Sequence, residues 1–334
     1  MSAYEHTLPF AAFLANLPKT ETHLHIEGAL PWHLLHALDA VKFPHPPASW
    51  HPEYRFRDFD HFESELLAMA FGWYTSPERY HEAAKLIFAR HLAQNVRYVE
   101  TSFASGVVEF GGLDGHAIVK AIKSAAPAGL TVKVFCGIHH NGYNERTRDF
   151  LEDCIHWPEL DGLDLHGTES MPLEDWTARL WQKARDAGKF TKAHAGEFCG
   201  PEFVRQVIHE LGVRRIEHGV RAAEDSALLA EMAALGVACD VCPISNVKLG
   251  PTRSLATHQI RLLHDAGVVC TVNTDDPLSF GNTLTEEYLA LHREAAFTRN
   301  ELVALAKNGF KVAMIPDNDR QRVLGELDEW VAKE

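Results

Sequence analysis

Eight times along the chain, an apolar run of strand length is followed by a stretch with helical spacing. The runs are ETHLHI (21–26), VRYVETSF (96–103), TVKVFCGIHH (131–140) and LDGLDLHG (160–167), then FTKAHAGE (190–197), RRIEHGV (214–220), GVACDVCP (236–243) and VVCTVNTDD (268–276). They read as near-continuous β-branched and apolar runs, the pattern of strands buried on both faces. Between them lie helical stretches such as HEAAKLIFARHLAQN, LEDWTARLWQKARDAG and EDSALLAEMAALG, several of which stop at a glycine. Eight strand–helix units predict an α/β fold, the (β/α)8 TIM barrel. No linker, low-complexity tract or close repeat divides the 334 residues, so one domain over 1–334 is expected.

Two parts depart from the repeat. Residues 43–77 carry prolines and a run of aromatics (Trp50, Tyr54, Phe56, Phe59, Phe62, Phe71, Trp73, Tyr74). They read either as a lid over the barrel mouth or as a packing insertion. The tail 283–334 reads as two or three further helices. The N-terminal LPFAAFLANL is preceded by Glu5 and His6 rather than by a basic segment, so an amphipathic helix is expected there, not a signal peptide.

Composition narrows the function classes. Apolar residues make up 46% and charged residues 23% of the chain, and 32 basic against 46 acidic residues leave a net charge of −14. That balance argues against a nucleic-acid or anionic-membrane partner, and no apolar run is long enough for a membrane span. A cytoplasmic protein is expected, with homo-oligomerisation left open. The six cysteines are sparse and lie mostly in apolar runs, so reduced core thiols are expected; Cys239 and Cys242 form a lone C-x-x-C inside a strand-like run.

In this fold the C-terminal ends of the strands open onto one face. His23 and His25 end the first run, His194 and Glu197 the fifth, His218 the sixth, and Asp275 and Asp276 the eighth. With 21 histidines in the chain an H-x-H pair is weak by itself. Residues i and i+2 of a strand share a face, however, so His23 and His25 point together. The convergence of four strand ends predicts a metal site made by His23, His25, His194 and Asp275, with room for a water. Three imidazoles and one carboxylate suit one Zn2+ ion, which brings the pKa of bound water toward neutrality. Of His139 and His140 at most one faces inward, and His166 is left open. His33, His36 and His81 read as solvated or packed side chains.

The motifs PKTETHLHIEGAL, GLDLHGTE, KAHAGE, RRIEHGVRA, CPISNVKLG and VNTDDPLSFGNTL run in order from residue 18 to residue 284. Together the chain resembles the adenosine and adenine deaminases, metal-dependent hydrolases of the amidohydrolase superfamily. The resemblance implies one zinc on His23, His25, His194 and Asp275, with Glu197 carrying a proton to N1 of a purine. It implies that His218 orients the water and stabilises its developing charge. Asp276 is implied to accept a hydrogen bond from water or from the substrate at purine N7, and the backbone N–H of Gly167 to meet N3. The strand-four run LDGLDLHG has no lysine to bridge a second metal, which favours a single-metal site.

The substrate signals are mixed. Glu27, where adenosine deaminases usually have Asp, resembles the adenine enzymes, as does CPISNVKL. DLHGTE and DDPLSFGNTL look more like the nucleoside enzymes. His25, Glu27, Gly167 and Asp276 are the substrate-contact candidates. The first expectation is deamination of a 6-aminopurine nucleoside, adenosine to inosine and ammonia. Adenine is the close alternative, a modified adenine nucleoside such as 6-aminodeoxyfutalosine the next, and a catalytically inactive purine-binding protein the distant one. AMP is disfavoured, since only Arg55 and Arg57 stand out as phosphate-binding candidates.

Overall fold

The computed structural model describes residues 7–333. Eight strands follow one another around a single sheet in sequence order. They are β1 (Lys19–Glu21), β2 (Val96–Ala104), β3 (Thr131–His139), β4 (Gly162–His166), β5 (Phe190–Ala195), β6 (Arg215–His218), β7 (Ala238–Val241) and β8 (Val269–Val272). Every neighbouring pair from β1/β2 to β7/β8 is parallel. Parallel neighbours need long crossovers, and helices supply them on the outside of the barrel.

The first strand is shorter than the sequence suggests. Regular pairing ends at Glu21, and His23 and His25 lie on the extension beyond it. The cause is the seam between β1 and β8. There the Thr22 N–H is taken by the Asn273 side chain at 2.7 Å instead of by a backbone carbonyl. Pairing resumes past both strands, where Leu24 bridges Asp275 and His25 bridges Ser102 on β2. The His25 N–H donates to the Asp275 carbonyl at 3.2 Å, and the Asp275 N–H to the His23 carbonyl at 3.3 Å. Three of the four candidate metal ligands therefore sit where the barrel closes. Asp275 and Asp276 likewise follow β8, and Glu197 follows β5, rather than ending them.

The insertion after β1 holds a 3-10 turn (Ala48–Trp50) and a helix (Phe59–Trp73) whose first turn is capped by Asp58, accepting from the His61 N–H at 2.8 Å. Phe59, Phe62, Leu66 and Ala70, three and four residues apart, form one face of that helix and look down on the strand ends. Phe62 stacks on Phe280 with ring centroids 5.5 Å apart, and Phe56 meets Phe62 at 5.4 Å. Burying such rings stabilises the fold by roughly 1.5–3 kcal/mol each. The insertion thus packs on the barrel and roofs its mouth at once. The tail forms three helices, Leu284–Glu294, Arg299–Val312 and Asp317–Lys333, and the second of these lies across β8 and β1. An N-terminal helix spans Thr7–Asn16; Glu5 and His6 lie outside the described residues. Among those residues no helix is long and apolar enough to cross a membrane.

Inside the barrel, Glu100, Lys192, Arg215, Glu217 and Asp240 are all buried. Arg215 lies 2.5 Å from Asp240 and 3.3 Å from Glu100, and Lys192 lies 2.5 Å from Glu217 and 3.4 Å from Glu100. Charges this deep are tolerable only when paired. The network supports the site from below through Glu217, which reaches His23.

Candidate active site

Every candidate ligand arrives at one point. His25 Nε2 lies 3.3 Å from His194 Nε2 and 3.3 Å from Asp275 Oδ1, and His23 Nε2 lies 3.3 Å from the same Asp275 oxygen. Four donors placed tetrahedrally about 2.0–2.1 Å from one centre stand roughly 3.3–3.4 Å from each other. The His23 Nε2 is also buried with no hydrogen-bond partner. Spacing, donor chemistry and an orphaned lone pair all fit one divalent borderline ion.

The outer atom of each ligand is held. His23 Nδ1 is 3.2 Å from the Asp240 carbonyl and 2.7 Å from the charge of Glu217 Oε2, and His25 Nδ1 is 3.0 Å from Ser102 Oγ. His194 Nδ1 is 3.0 Å from the Leu165 carbonyl and 3.2 Å from Asp164 Oδ1. Ser245 Oγ donates to Asp275 Oδ2 at 2.7 Å. Such contacts turn the inner lone pairs toward the point where an ion would sit. Asp275 and His218 also take left-handed backbone angles, φ 66° and 64°, which non-glycine residues rarely adopt.

His218 stands beside the ligands. Asn246 Nδ2 donates to its Nδ1 at 3.0 Å, which puts the proton of the neutral ring on Nε2. That nitrogen lies 3.5 Å from Glu197 Oε2 and 3.9 Å from Asp275 Oδ2. Burial, and then the neighbouring His23, push the His218 pKa well down. Glu197 behaves oppositely: burial, then the nearby Asp275 and Glu169 charges, raise its carboxyl well above the ordinary range. Its Oε1 is buried and unpartnered. Asp275 and Asp276 split as neighbouring carboxyls do. Burial opposes both charges, but the His23 ring beside Asp275 lowers the pKa of that carboxyl, while burial and Asp275 raise that of Asp276. Asp276 can come so close only because residue 28 is glycine, where a Cβ would stand 1.5 Å from Asp276 Oδ1.

These residues line a cavity of about 100 Å³ at the barrel mouth, under the helix Phe59–Trp73. Glu27 forms one wall and is buried. Tyr80 donates to its Oε1 at 2.7 Å and the Ala104 N–H at 3.2 Å. Burial nevertheless pushes its pKa up to about 7. Gly167 also lines the cavity, at φ 90°, and a Cβ there would meet His139 Nδ1 at 2.7 Å. His139 and His166 line the cavity too, with ring centroids 4.5 Å apart, whereas His140 faces the outer helices and packs near Phe203. Both inward histidines were left open by sequence, because strand periodicity does not resolve side chains at a strand's last residue.

Other sequence expectations fall elsewhere. Arg55 and Arg57 are exposed and outside the cavity; Arg57 pairs with Asp58 at 2.8 Å. His36 and His81 bond locally, at 2.8 Å to the Phe43 carbonyl and 3.0 Å to Ser124 Oγ, and His33 is exposed. All six cysteines are unpaired, five of them buried, and Cys242 Sγ sits 3.4 Å from His23 Nδ1. The supporting residues Ser102, Asp164, Glu217, Ser245 and Asn246 were missed. A signal existed for two of them, since Asp164 and Glu217 are charged residues inside otherwise apolar strand runs.

A (β/α)8 barrel with three imidazoles and a carboxylate converging at its C-terminal mouth is the architecture of a metal-dependent hydrolase. A family model described as adenosine deaminase matches residues 18–330, and the chain belongs to that family. An adenine deaminase from Sphingopyxis alaskensis is 32% identical over 332 residues, covering 96% of each chain. One from Caulobacter vibrioides is 31% identical over 332 residues, with 96% of each covered. The crystal structure of an adenine deaminase from Arthrobacter aurescens superposes with a TM-score of 0.84 at 26% identity, covering 94% of this chain and 99% of that one. An amidohydrolase from Burkholderia ambifaria with bound Zn shares the fold, with a TM-score of 0.80 at 21% identity, covering 100% of this chain and 96% of that one. The chain is a hydrolase of the amidohydrolase type, acting on a purine amidine C–N bond.

Proposed function

We propose that the substrate is adenine, which water converts to hypoxanthine and ammonia. This moves the reading from adenosine, the first expectation from sequence, to its alternative. The observation that carries it is the wall formed by Glu27. A glutamate held by Tyr80 and the Ala104 N–H closes one side of a cavity of about 100 Å³, whereas drug-sized ligands occupy pockets of roughly 300–1,000 Å³. A bare base suits that space better than a base with its ribose. Relatives named adenine deaminase, similar across their whole length, support the same choice.

The roles follow from position. His23, His25, His194 and Asp275 would hold one ion, zinc by its donor set, and Glu27 and Gly167 would contact the ring. When bound, that ion supplies Lewis acidity and a water activated near neutral pH. Glu197, whose pKa burial raises, donates to N1 and so weakens the aromatic resistance to attack at C6. His218, with its Nε2 3.5 Å from Glu197 and 3.9 Å from Asp275, orients the water and steadies charge developing on it. Asp276, beside Asp275 in the cavity wall, is placed to hydrogen-bond water or the substrate at N7.

The test is a substrate panel followed by loss of the adenine absorbance band in metal-replete protein. Adenine is expected to turn over with kcat/KM at least about 100-fold above adenosine. A preference for adenosine overturns the substrate, and silence with every 6-aminopurine overturns the roles. Glu197→Gln is expected to keep its metal and lose turnover; an active variant refutes the proton-carrying role.

A further inference from the structure

Glu169, from the turn that follows β4, has entered so far only as a charge that helps raise the Glu197 pKa. It is 3% exposed, and its carboxylate is wrapped by one short segment, the turn after β5. The Gly196 N–H donates to Oε1, and the Phe198 and Cys199 N–H groups donate to Oε2, the last at 2.8 Å. The same turn is gripped from its other side. The Arg221 N–H donates to the Gly196 carbonyl at 2.8 Å, and its guanidinium to the Phe198 carbonyl. Glu197 stands in the middle of these five bonds.

The side chain of Glu197 is itself almost untethered. Its Oε1 has no partner, and the nearest cation-capable group to Oε2 is His218 Nε2 at 3.5 Å. Where that carboxyl points is therefore set by its backbone. Successive N–H groups converging on a carboxylate form charge-assisted bonds stronger than neutral ones, and they fix the turn that presents them. We infer that Glu169 is a positioning residue for proton transfer, aiming Glu197 at the substrate by holding the Gly196–Cys199 turn.

The inference rests on the reading of Glu197 as the proton carrier. Glu169→Gln removes the charge and sets an NH2 group against an N–H donor, since an amide has one accepting oxygen where the carboxylate has two. A displacement near 1 Å at a reacting group costs on the order of 100-fold in rate. On whichever 6-aminopurine turns over, kcat is expected to fall about 30- to 100-fold with KM within about threefold and metal content unchanged. The discriminating measurement is the same substitution in a Glu197→Gln background, followed at high enzyme concentration. There it is expected to cost less than about threefold, because a residue acting through another is not additive with it. Full kcat in metal-loaded Glu169→Gln overturns the inference, and so does an equal cost in both backgrounds, the mark of a general structural role. Glu169→Asp is measured beside it, and in its place should Glu169→Gln fail to load metal. It keeps the charge that raises the Glu197 pKa and withdraws it by one methylene. A comparable fall in kcat is expected; full kcat there reduces Glu169 to a charge effect and overturns the positioning role. An active Glu197→Gln would fell the reading of Glu197, whereas full-rate Glu169→Gln beside an inactive Glu197→Gln fells this inference alone.

Discussion

Glu27 is a carboxyl kept in an apolar wall with two neutral donors, Tyr80 and the Ala104 N–H, both able to bond the same oxygen. Burial lifts its pKa from 4.5 to about 7. Between those values the folded chain keeps a proton that the unfolded chain has lost, so Glu27 lowers stability progressively as pH rises from about 4.5 to 7, and by a constant amount above that. The full effect is about 3 kcal/mol. Glu27→Gln keeps an acceptor for both donors and removes the titration. It is expected to be more stable than the parent by up to about 3 kcal/mol at pH 8, with the gap narrowing to under about 1 kcal/mol at pH 5. Urea unfolding at the two pH values decides it, and a gap that does not depend on pH counts against the buried carboxyl. The neighbouring Gly28 makes a sharper demand, since a methyl group there would occupy the place of Asp276 Oδ1. Gly28→Ala is expected to lose about 100-fold in kcat/KM as Asp276 is displaced. Of these residues Glu27 was legible as a departure from an expected Asp. Its partner Tyr80 was not, because nothing in one sequence ties positions 53 apart.

At the scale of elements, β6 and β5 bring together what a pattern of runs cannot. The strand-end rule was enough to gather His23, His25, His194, His218 and Asp275, because it converts order along the chain into a place in space. It says nothing of what stands behind a ligand. Glu217 on β6 lies 2.7 Å from His23 Nδ1, and Lys192 on β5 lies 2.5 Å from Glu217. Glu217→Gln is expected to weaken metal affinity about 10- to 100-fold by loosening the His23 ring, which competition with a chromophoric chelator would measure. Unchanged affinity would reduce Glu217 to a partner of Lys192. The helix Phe59–Trp73 shows the opposite limit. Its aromatics were visible, and both a roof and a packing role were readable, but its contact with Phe280 depends on tertiary packing. Phe62→Ala is expected to cost about 3–5 kcal/mol in stability and to raise KM, as both the stack and the cavity wall are lost.

The whole molecule is a barrel whose last joint coincides with its chemistry. Strands β1 to β8 pair in sequence, but the backbones of β8 and β1 pair only past their regular ends, at His23, Leu24, His25 and Asp275. Eight runs were legible because each is a local signal. The seam was not, because it depends on Asn273 replacing a backbone partner of residue 22. An ion held by His23, His25, His194 and Asp275 would tie β1, β5 and β8 across that joint. A ligand bound only by the folded state adds about 4 kcal/mol at a thousandfold excess over its Kd. Chelation is therefore expected to lower the unfolding temperature and to do so unevenly, since stability is distributed by local contacts. Amide exchange should accelerate at residues 22–25 and 273–276 well before the β3–β4 ladder, whose register runs unbroken from Phe135↔Gly162 to His139↔His166. Restoring zinc should return that protection. Exchange that speeds up equally at the seam and in β3–β4 would mean that the ion stabilises the fold without closing the barrel.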